Sequence, residues 1–443
     1  MQEKPVVLLL AGGKSTRFWP LSEKNTYKFL GKSLVEHQIE TLKRLGLKDL
    51  IVVASEKVFD WLVENSQRFS DLNINYIRQH EDLAGMAGAV LSARENFQTH
   101  FQGRSLYILN CNDLCEDRLH YDILDKFEKQ EADVLVCGYK VDKYQPLGYW
   151  VLEDNKVTGL VEKPGADKMP SQFAKIVADL FVEPSLFLEE LERLSHEDKG
   201  ADDLYEQAFE KMFSEQKVEV VEYGGRWEIL KYPWHVLSVT EFYLSQITST
   251  LIDPSAQVSE KAEIGEKVII SEGVKIFAGA KISGHAYIGK NTVIGDGSLV
   301  RQSVVGADCV IGFGSEITRS YLGDSIWLHM NYIGDSILER NVSLGAGTVT
   351  GNFRLDEKNI FSSVKGKKID VQINKLGMIV GQGVRFGVNA SIMPGIKIGG
   401  GSFVGPGVVL NQDLENKSFC AVKQEMVIKK NKVKIKERKE FHA

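Results

Sequence analysis

At 443 residues with a formal charge of −6, the chain is long enough for two or three domains with large cores, and its charge gives no general attraction to nucleic acid. Five cysteines at scattered positions, without a CxxC pair, exclude a disulfide-stapled scaffold and a structural zinc, and they point to a reducing compartment. No stretch is apolar for long enough to span a membrane and the first apolar run is too short for a signal peptide, so the sequence reads as that of a cytoplasmic protein.

The first apolar run, VVLLL (6–10), reads as a buried strand, and the chain leaves it through LAGGKSTRFWPLSEKNTYKF (10–29). Two glycines, two hydroxyls and Arg17 follow the strand, with Lys28 close by. Bare backbone at a strand end lets N–H groups approach an anion, and nearby cations neutralise it. The plain alternative is a solvated strand-to-helix turn. LVEHQIETLKRLG (34–46) has the helical period and a glycine stop at Gly46, and LIVVAS (50–55), LYILN (106–110) and VLVCGY (134–139) read as further buried strands. This alternation predicts an open, Rossmann-like α/β sheet over residues 1–248, with ligands beyond the carboxyl ends of its strands.

After Pro254 the rhythm changes. Val258, Ile264, Ile270, Ile276, Ile282, Ile288, Ile294 and Val300 recur every six residues, and the spacing returns at Val380, Phe386, Ile392, Ile398, Val404 and Leu410. Small or β-branched residues follow most of the first set four positions later, as at Ala262, Ala280, Ala286 and Ser298. A period of six fits neither a helix nor a plain strand. It fits a triangular coil with six-residue sides, so residues 249–425 are predicted as an all-β left-handed parallel β-helix, an exception to right-handed crossovers. Residues 426–443 form a basic C-terminal tail.

Four segments, LAGGKSTRFWPL (10–21), NCNDL (110–114), GLVEKP (159–164) and HMNYIGDSILERNVSLGAGTVTGNF (329–353), give the chain a resemblance over nearly its whole length to a known family. It resembles the two-domain sugar-1-phosphate nucleotidyltransferases with a β-helical acyltransferase domain, in particular the bifunctional N-acetylglucosamine-1-phosphate uridylyltransferase/glucosamine-1-phosphate acetyltransferases and their archaeal-type members. For the first half the resemblance implies that Ala11, Gly12 and Gly13 admit the nucleotide with Gln79 and Gly85, the last of which lies where the family reads the base. It implies that Arg17 holds the triphosphate, that Lys28 bridges the reacting phosphates, and that Gly148, Glu162 and Lys163 meet the sugar phosphate. Asp113 falls at the family's Mg²⁺ ligand, a hard carboxylate for a hard cation.

The sequence also departs from that pattern. Ser15 stands where glycine is usual, Ile176 or a neighbour replaces a sugar-binding asparagine, and Ile229 and Lys231 occupy the segment that supplies the second metal ligand. There the ammonium of Lys231 stands in for metal charge, or Glu228 moves into place.

For the second half the resemblance implies that His329 is the general base of acetyl transfer, a task suited to a group titrating near neutrality. Arg301, Tyr332, Asn352 and Phe353 fall at positions that bind the amino-sugar phosphate or support the site, and backbone N–H groups of Gly345 to Gly347 are expected as oxyanion or pantetheine contacts. Thr318, beside Arg319, replaces an expected lysine, and Ser343 an asparagine. The insert at 355–375 is expected to reach over a neighbouring subunit, since acyl-CoA sites of this fold lie between chains, which implies a homotrimer.

The leading expectation is therefore an enzyme of UDP-N-acetylglucosamine synthesis that takes acetyl-CoA, an NTP (UTP favoured) and a sugar-1-phosphate. A second is nucleotidyl transfer alone, with mannose- or glucose-1-phosphate, because FWPLS (18–22) is similar to mannose-1-phosphate guanylyltransferases. A third makes the coil a trimerisation scaffold beside a partly degenerate enzyme. None has a nucleic acid or membrane partner.

Overall fold

The computed structural model describes residues 3–80, 85–153, 156–198 and 203–434. The first apolar run forms the strand Val6–Ala11, buried at every residue, which pairs in parallel with Asp49–Ala54 and Leu106–Asn110. These belong to a nine-stranded sheet in the order Asn73–Arg78, Asp49–Ala54, Val6–Ala11, Leu106–Asn110, Phe173–Phe181, Val134–Lys140, Val218–Tyr223, Lys156–Glu162, Gly148–Glu153. Phe173–Phe181 runs antiparallel to both its neighbours, so the sheet is mixed.

The predicted helix forms as Leu34–Arg44. Ser33 and Glu36 close a capping box at its start, and Gly46 follows its end at φ +73. Its apolar stripe, with those of Asp117–Glu128 and His235–Ser245, covers one face of the sheet. Gly85–His100, Ser185–Glu197 and Leu204–Glu215 cover the other. Both faces of the inner strands are dry, as their continuous apolar runs require. No helix among the described residues is long and apolar enough to cross a membrane.

From Leu251–Ile252 onward, strands of mostly two or three residues stack in three parallel sheets of eight, nine and eight, the coil of a left-handed β-helix. Ile270, Ile288, Val305, Leu322, Leu338, Val380 and Ile398 form one interior ladder, all of them buried. The coil does not pause where the six-residue rhythm lapses. Ile288 sits under Val305 and Val305 under Leu322, seventeen residues apart each time, and Leu322 under Leu338, sixteen apart. Shortened sides keep the inward positions stacked while shifting their phase in the sequence.

The two units share a core. Val304, Tyr321, Ile337 and Ile379, on the outer face of one coil sheet, belong to the same apolar cluster as Phe18, Tyr27, Phe29 and Tyr243. The Tyr27 and Tyr321 rings lie 5.0 Å apart, and the Tyr321 hydroxyl donates to the Lys28 carbonyl at 2.8 Å. The insert forms the hairpin Phe361–Val364 with Lys367–Asp370, and its flanks Ile360 and Val371 join this cluster. The flanks of the hairpin therefore pack against their own chain.

Candidate active site

Strand Val6–Ala11 ends at Gly12, where an added Cβ would run into the side-chain amide of Gln79. The Gln79 amide donates to the carbonyl of Gly85 at 3.1 Å, and Gly85 opens its helix at φ +73. Ala11, Gly12, Gln79 and Gly85 thus meet at one strand end. Ser15 holds φ +50, the left-handed conformation that glycine adopts without strain. Its hydroxyl donates to Glu23 at 2.7 Å and accepts from the Lys24 N–H at 3.3 Å, which fixes the loop in that conformation.

The loop then brings in a residue that the sequence reading missed. Asn25 is fully buried and donates to the Ala11 carbonyl at 2.8 Å, which turns the preceding Lys24 towards the strand ends. The Lys24 Nζ lies 3.5 Å from where a Gly13 Cβ would be. Burial lowers the Lys24 pKa, the charge of Glu23 opposes that, Arg17 adds to it, and Asp113 opposes it. Lys28 is not part of this group: its ammonium pairs with Asp324 of the coil at 2.8 Å and is about half exposed. Lys28, which the resemblance set at the reacting phosphates, thus lies apart from this strand-end group, and Lys24 lies within it.

Beyond these lies a cavity of about 190 Å³ lined by Asp113, Gly148, Glu162, Lys163, Lys175, Ile176, Glu206, Ile229 and Lys231. Gly148 is paired directly with Glu162, and its missing Cβ leaves room for the Glu162 carboxylate. Lys163, at φ +44, lies 3.4 Å from that carboxylate. Deeper in, Lys175 is almost wholly buried against Asp179 at 2.8 Å, and Tyr205 donates to the same carboxylate. Lys175 and Glu206 had no signal in the sequence reading. A larger cavity of about 590 Å³ lies elsewhere, between Trp19 and Ser22 of the loop and Glu339, Arg340 and Lys417 of the coil.

Asp113 accepts from Trp227 Nε1 at 3.1 Å and from Asn110 Nδ2 at 3.0 Å. Burial nevertheless pushes its carboxyl up to about 6. The short strand Trp227–Ile229 pairs antiparallel with Asp113–Cys115 and sets Ile229 directly across from Asp113. Glu228 does not move into place, since it sits one register position away and pairs with Arg226 at 3.1 Å. Both Asp113 oxygens already accept N–H donors, an apolar side chain faces them, and the Lys231 ammonium lines the same cavity. Among the described residues no three His, Cys, Asp or Glu side chains group as a metal site. This donor set does not fit a resident Mg²⁺, which needs oxygen ligands and no competing cation.

In the coil, Arg301, Thr318 and Gly334 form one rung ladder. Arg301 donates to the buried Thr318 hydroxyl at 2.9 Å and to Glu316 at 3.3 Å. Arg319 makes a two-pronged pair with Asp335 at 2.7 and 2.8 Å, and this hydrogen bonding raises its pKa. Asn352 donates to the Tyr332 hydroxyl at 3.3 Å and to Asp335. Arg301, Tyr332 and Asn352 therefore meet on one polar face.

His329 is exposed at the adjoining corner, with its ring over Gly312 and its backbone N–H donating to Asn331 at 2.6 Å. Ser343 lies on the outer rung between Trp327 and Arg385, and Phe353 bridges to Lys375. The N–H groups of Gly345 and Gly347 are not available as oxyanion donors, because they donate to Phe386 and Met330 carbonyls at 2.9 and 3.2 Å.

Residues 6–228 match the nucleotidyl transferase family, and residues 246–370 match the GMPPB C-terminal domain. A bifunctional protein GlmU from Methanococcus maripaludis (strain C5) is 34% identical over 96% of this chain and 99% of its own length. A bifunctional sugar-1-phosphate nucleotidylyltransferase/acetyltransferase from Sulfurisphaera tokodaii is 30% identical over 94% and 99%. A bifunctional protein GlmU from Methanocaldococcus jannaschii is 29% identical over 96% and 99%. With the strand-end glycines, the cation-lined cavity and the hexapeptide coil already described, these matches show that the chain belongs to the nucleotidyl transferase family and, over nearly its full length, to its bifunctional GlmU group.

Proposed function

We propose that the chain acetylates an amino-sugar-1-phosphate with its coil and transfers a nucleotidyl group to the product with its α/β unit, as in UDP-N-acetylglucosamine synthesis. The observation that carries the nucleotidyl reading is the convergence of Lys24, Lys163 and Lys231 with Arg17 around Asp113, beyond the bare backbone of Gly12 and Gly13. A sugar-1-phosphate oxygen attacks the α-phosphorus of the NTP as the bond to pyrophosphate breaks. Both reactants are anions, so the protein's work is alignment and charge neutralisation.

In this reading the base lies by Gln79 and Gly85, and Arg17 and Lys24 hold the triphosphate. Lys163 and Lys231 face the sugar phosphate, while Glu162 accepts sugar hydroxyls beside Gly148. Magnesium enters only with the nucleotide, as part of the substrate. In the coil, His329 takes the proton of the attacking amine, and Arg301, Tyr332 and Asn352 hold the sugar phosphate. The amine forms the new bond to the acetyl carbonyl carbon as the thiol of CoA leaves.

Apolar side chains exposed on the free outer faces of the coil, Trp327, Phe403, Phe419 and Val409 among them, support assembly as a homotrimer. Five unpaired cysteines support a reducing, cytoplasmic setting. The test is incubation with UTP, Mg²⁺ and N-acetylglucosamine-1-phosphate. Pyrophosphate should be released by the wild type and not by Arg17→Ala, and no release with any NTP would end the nucleotidyl reading. His329→Ala should stop thiol release from acetyl-CoA with glucosamine-1-phosphate while leaving pyrophosphate release intact.

A further inference from the structure

Lys231 projects from the turn that follows the strand facing Asp113, and several contacts fix where it stands. The Nδ1 of the half-buried His235 lies 2.6 Å from the Ile229 carbonyl, and as the Nδ1–H tautomer it donates there and holds the strand end two residues before the lysine. Burial lowers the His235 pKa to about 4, which keeps the ring uncharged near neutrality. The Lys231 ammonium sits 5.8 Å from the centre of the Tyr232 ring and lines the same cavity as Asp113, Glu162 and Lys163. Burial, then the charges of Arg17 and Lys163, lower its own pKa, while Asp113 and Glu162 oppose the shift. It is therefore a half-buried ammonium that faces cations and carboxylates alike and makes no ion pair of its own among the described residues, a costly arrangement unless an anion joins it.

A divalent ion at this point would need oxygen ligands. It would find Ile229 across from Asp113, a carboxylate whose two oxygens already accept hydrogen bonds, and a fixed positive charge alongside. A phosphate at the same point would find three donors on one ammonium and further cations around it.

We propose that Lys231 is a phosphate-binding residue that replaces a divalent cation in this cavity, so that the cavity holds a phosphorylated ligand without added metal. This rests on the reading of the cavity as a phosphate site given above. It goes further by making the lysine the source of the charge a metal would bring.

The test is calorimetric titration of the full chain with N-acetylglucosamine-1-phosphate and with UTP, each in EDTA and in excess Mg²⁺. For the sugar phosphate, the wild-type Kd should agree within about threefold between the two conditions. Lys231→Ala should weaken it about tenfold or more in both, the scale of one charge-assisted hydrogen bond. Lys231→Glu should lose binding in EDTA and regain it with Mg²⁺, because two carboxylates then face the ligand phosphate. Lys231→Met, which keeps the apolar stem, and thermal melting of each variant separate loss of charge from loss of fold.

Sugar-phosphate binding that vanishes in EDTA for the wild type, or a Lys231→Ala variant that binds as well as the wild type, overturns the inference and leaves the cavity a phosphate site. Failure of the wild type to bind either probe in either condition overturns the reading of the cavity itself.

Discussion

The Lys28 ammonium lies 2.8 Å from Asp324 Oδ2 and ties the end of the glycine-rich loop to the β-coil, four residues after Lys24 has turned the other way. The two lysines should therefore respond differently to removal. Lys24→Ala takes a cation from beside Gly13 and Asp113 and should lower kcat for nucleotidyl transfer roughly a hundredfold or more, the scale of losing one preorganised electrostatic contact. Lys28→Ala removes a surface ion pair worth about 0.2–1 kcal/mol and should leave kcat within about threefold of the wild type. Steady-state pyrophosphate release by the two variants decides the matter, and equal losses would return Lys28 to the site.

Asp113 offers a second check. Burial lifts its carboxyl to about 6 from an ordinary 3.8, while the Trp227 and Asn110 donors favour the charged form. Between about pH 4 and pH 6 the folded chain holds a proton that the unfolded chain has lost, so this group makes stability fall as pH rises through that window. Carbon NMR of the Asp113 carboxyl should show a midpoint near 6. Trp227→Phe removes a donor to the charged form and should move the midpoint upward. A midpoint near 4 in the wild type would mean that the carboxylate is already compensated by a charge the structure does not place there.

Much of the fold was legible because burial imposes a period. The six-residue rhythm from Val258 to Val300 is the inward row of the coil, and the runs at 6–10, 106–110 and 134–139 are inner strands dry on both faces. What the rhythm concealed was the middle of the coil, where sides shorten and the phase moves between Ile288 and Leu338 while every ladder continues.

The site was legible only in outline. Gly148 meets Glu162 through a hairpin register that local sequence suggests, whereas Asp113 meets Trp227 through a pairing 114 residues apart that no local pattern announces. Lys24 and Lys28 share one loop, and only the buried Asn25, bonded to the Ala11 carbonyl, decides which of them faces the strand ends. Buried polar groups such as Lys175 with Asp179 are invisible in sequence for the same reason, since each partner alone reads as a surface charge.

The cysteines give a chemical test of the core. Burial pushes the Cys111 and Cys309 thiols up to about 12, and both are closed off from solvent. At pH 8 almost none of either is thiolate, the reactive form. A thiol reagent should therefore leave both unmodified in the native protein and modify all five cysteines once the chain is unfolded. Mass spectrometry after brief labelling reads this directly, and fast native modification of Cys309 would show that the coil interior opens.

The two arginines of the coil face should divide anchoring from architecture. Arg319 is committed to Asp335, a buried carboxylate, through two parallel hydrogen bonds, so an incoming phosphate would have to displace a partner already desolvated. Arg301 is held by a neutral hydroxyl and by an exposed Glu316, contacts that an anion can replace at little cost. Arg301→Ala should accordingly raise KM for a phosphorylated acetyl acceptor about tenfold or more with little change in Tm. Arg319→Ala should lower stability by roughly 1–3 kcal/mol, because it strips the cation from a buried carboxylate that keeps only the Asn352 amide. Thiol-release kinetics and thermal melting on both variants separate the roles. A raised KM with unchanged Tm for Arg319→Ala, alongside a silent Arg301→Ala, would reverse the assignment and make Arg319 the phosphate anchor in place of the missing lysine at Thr318.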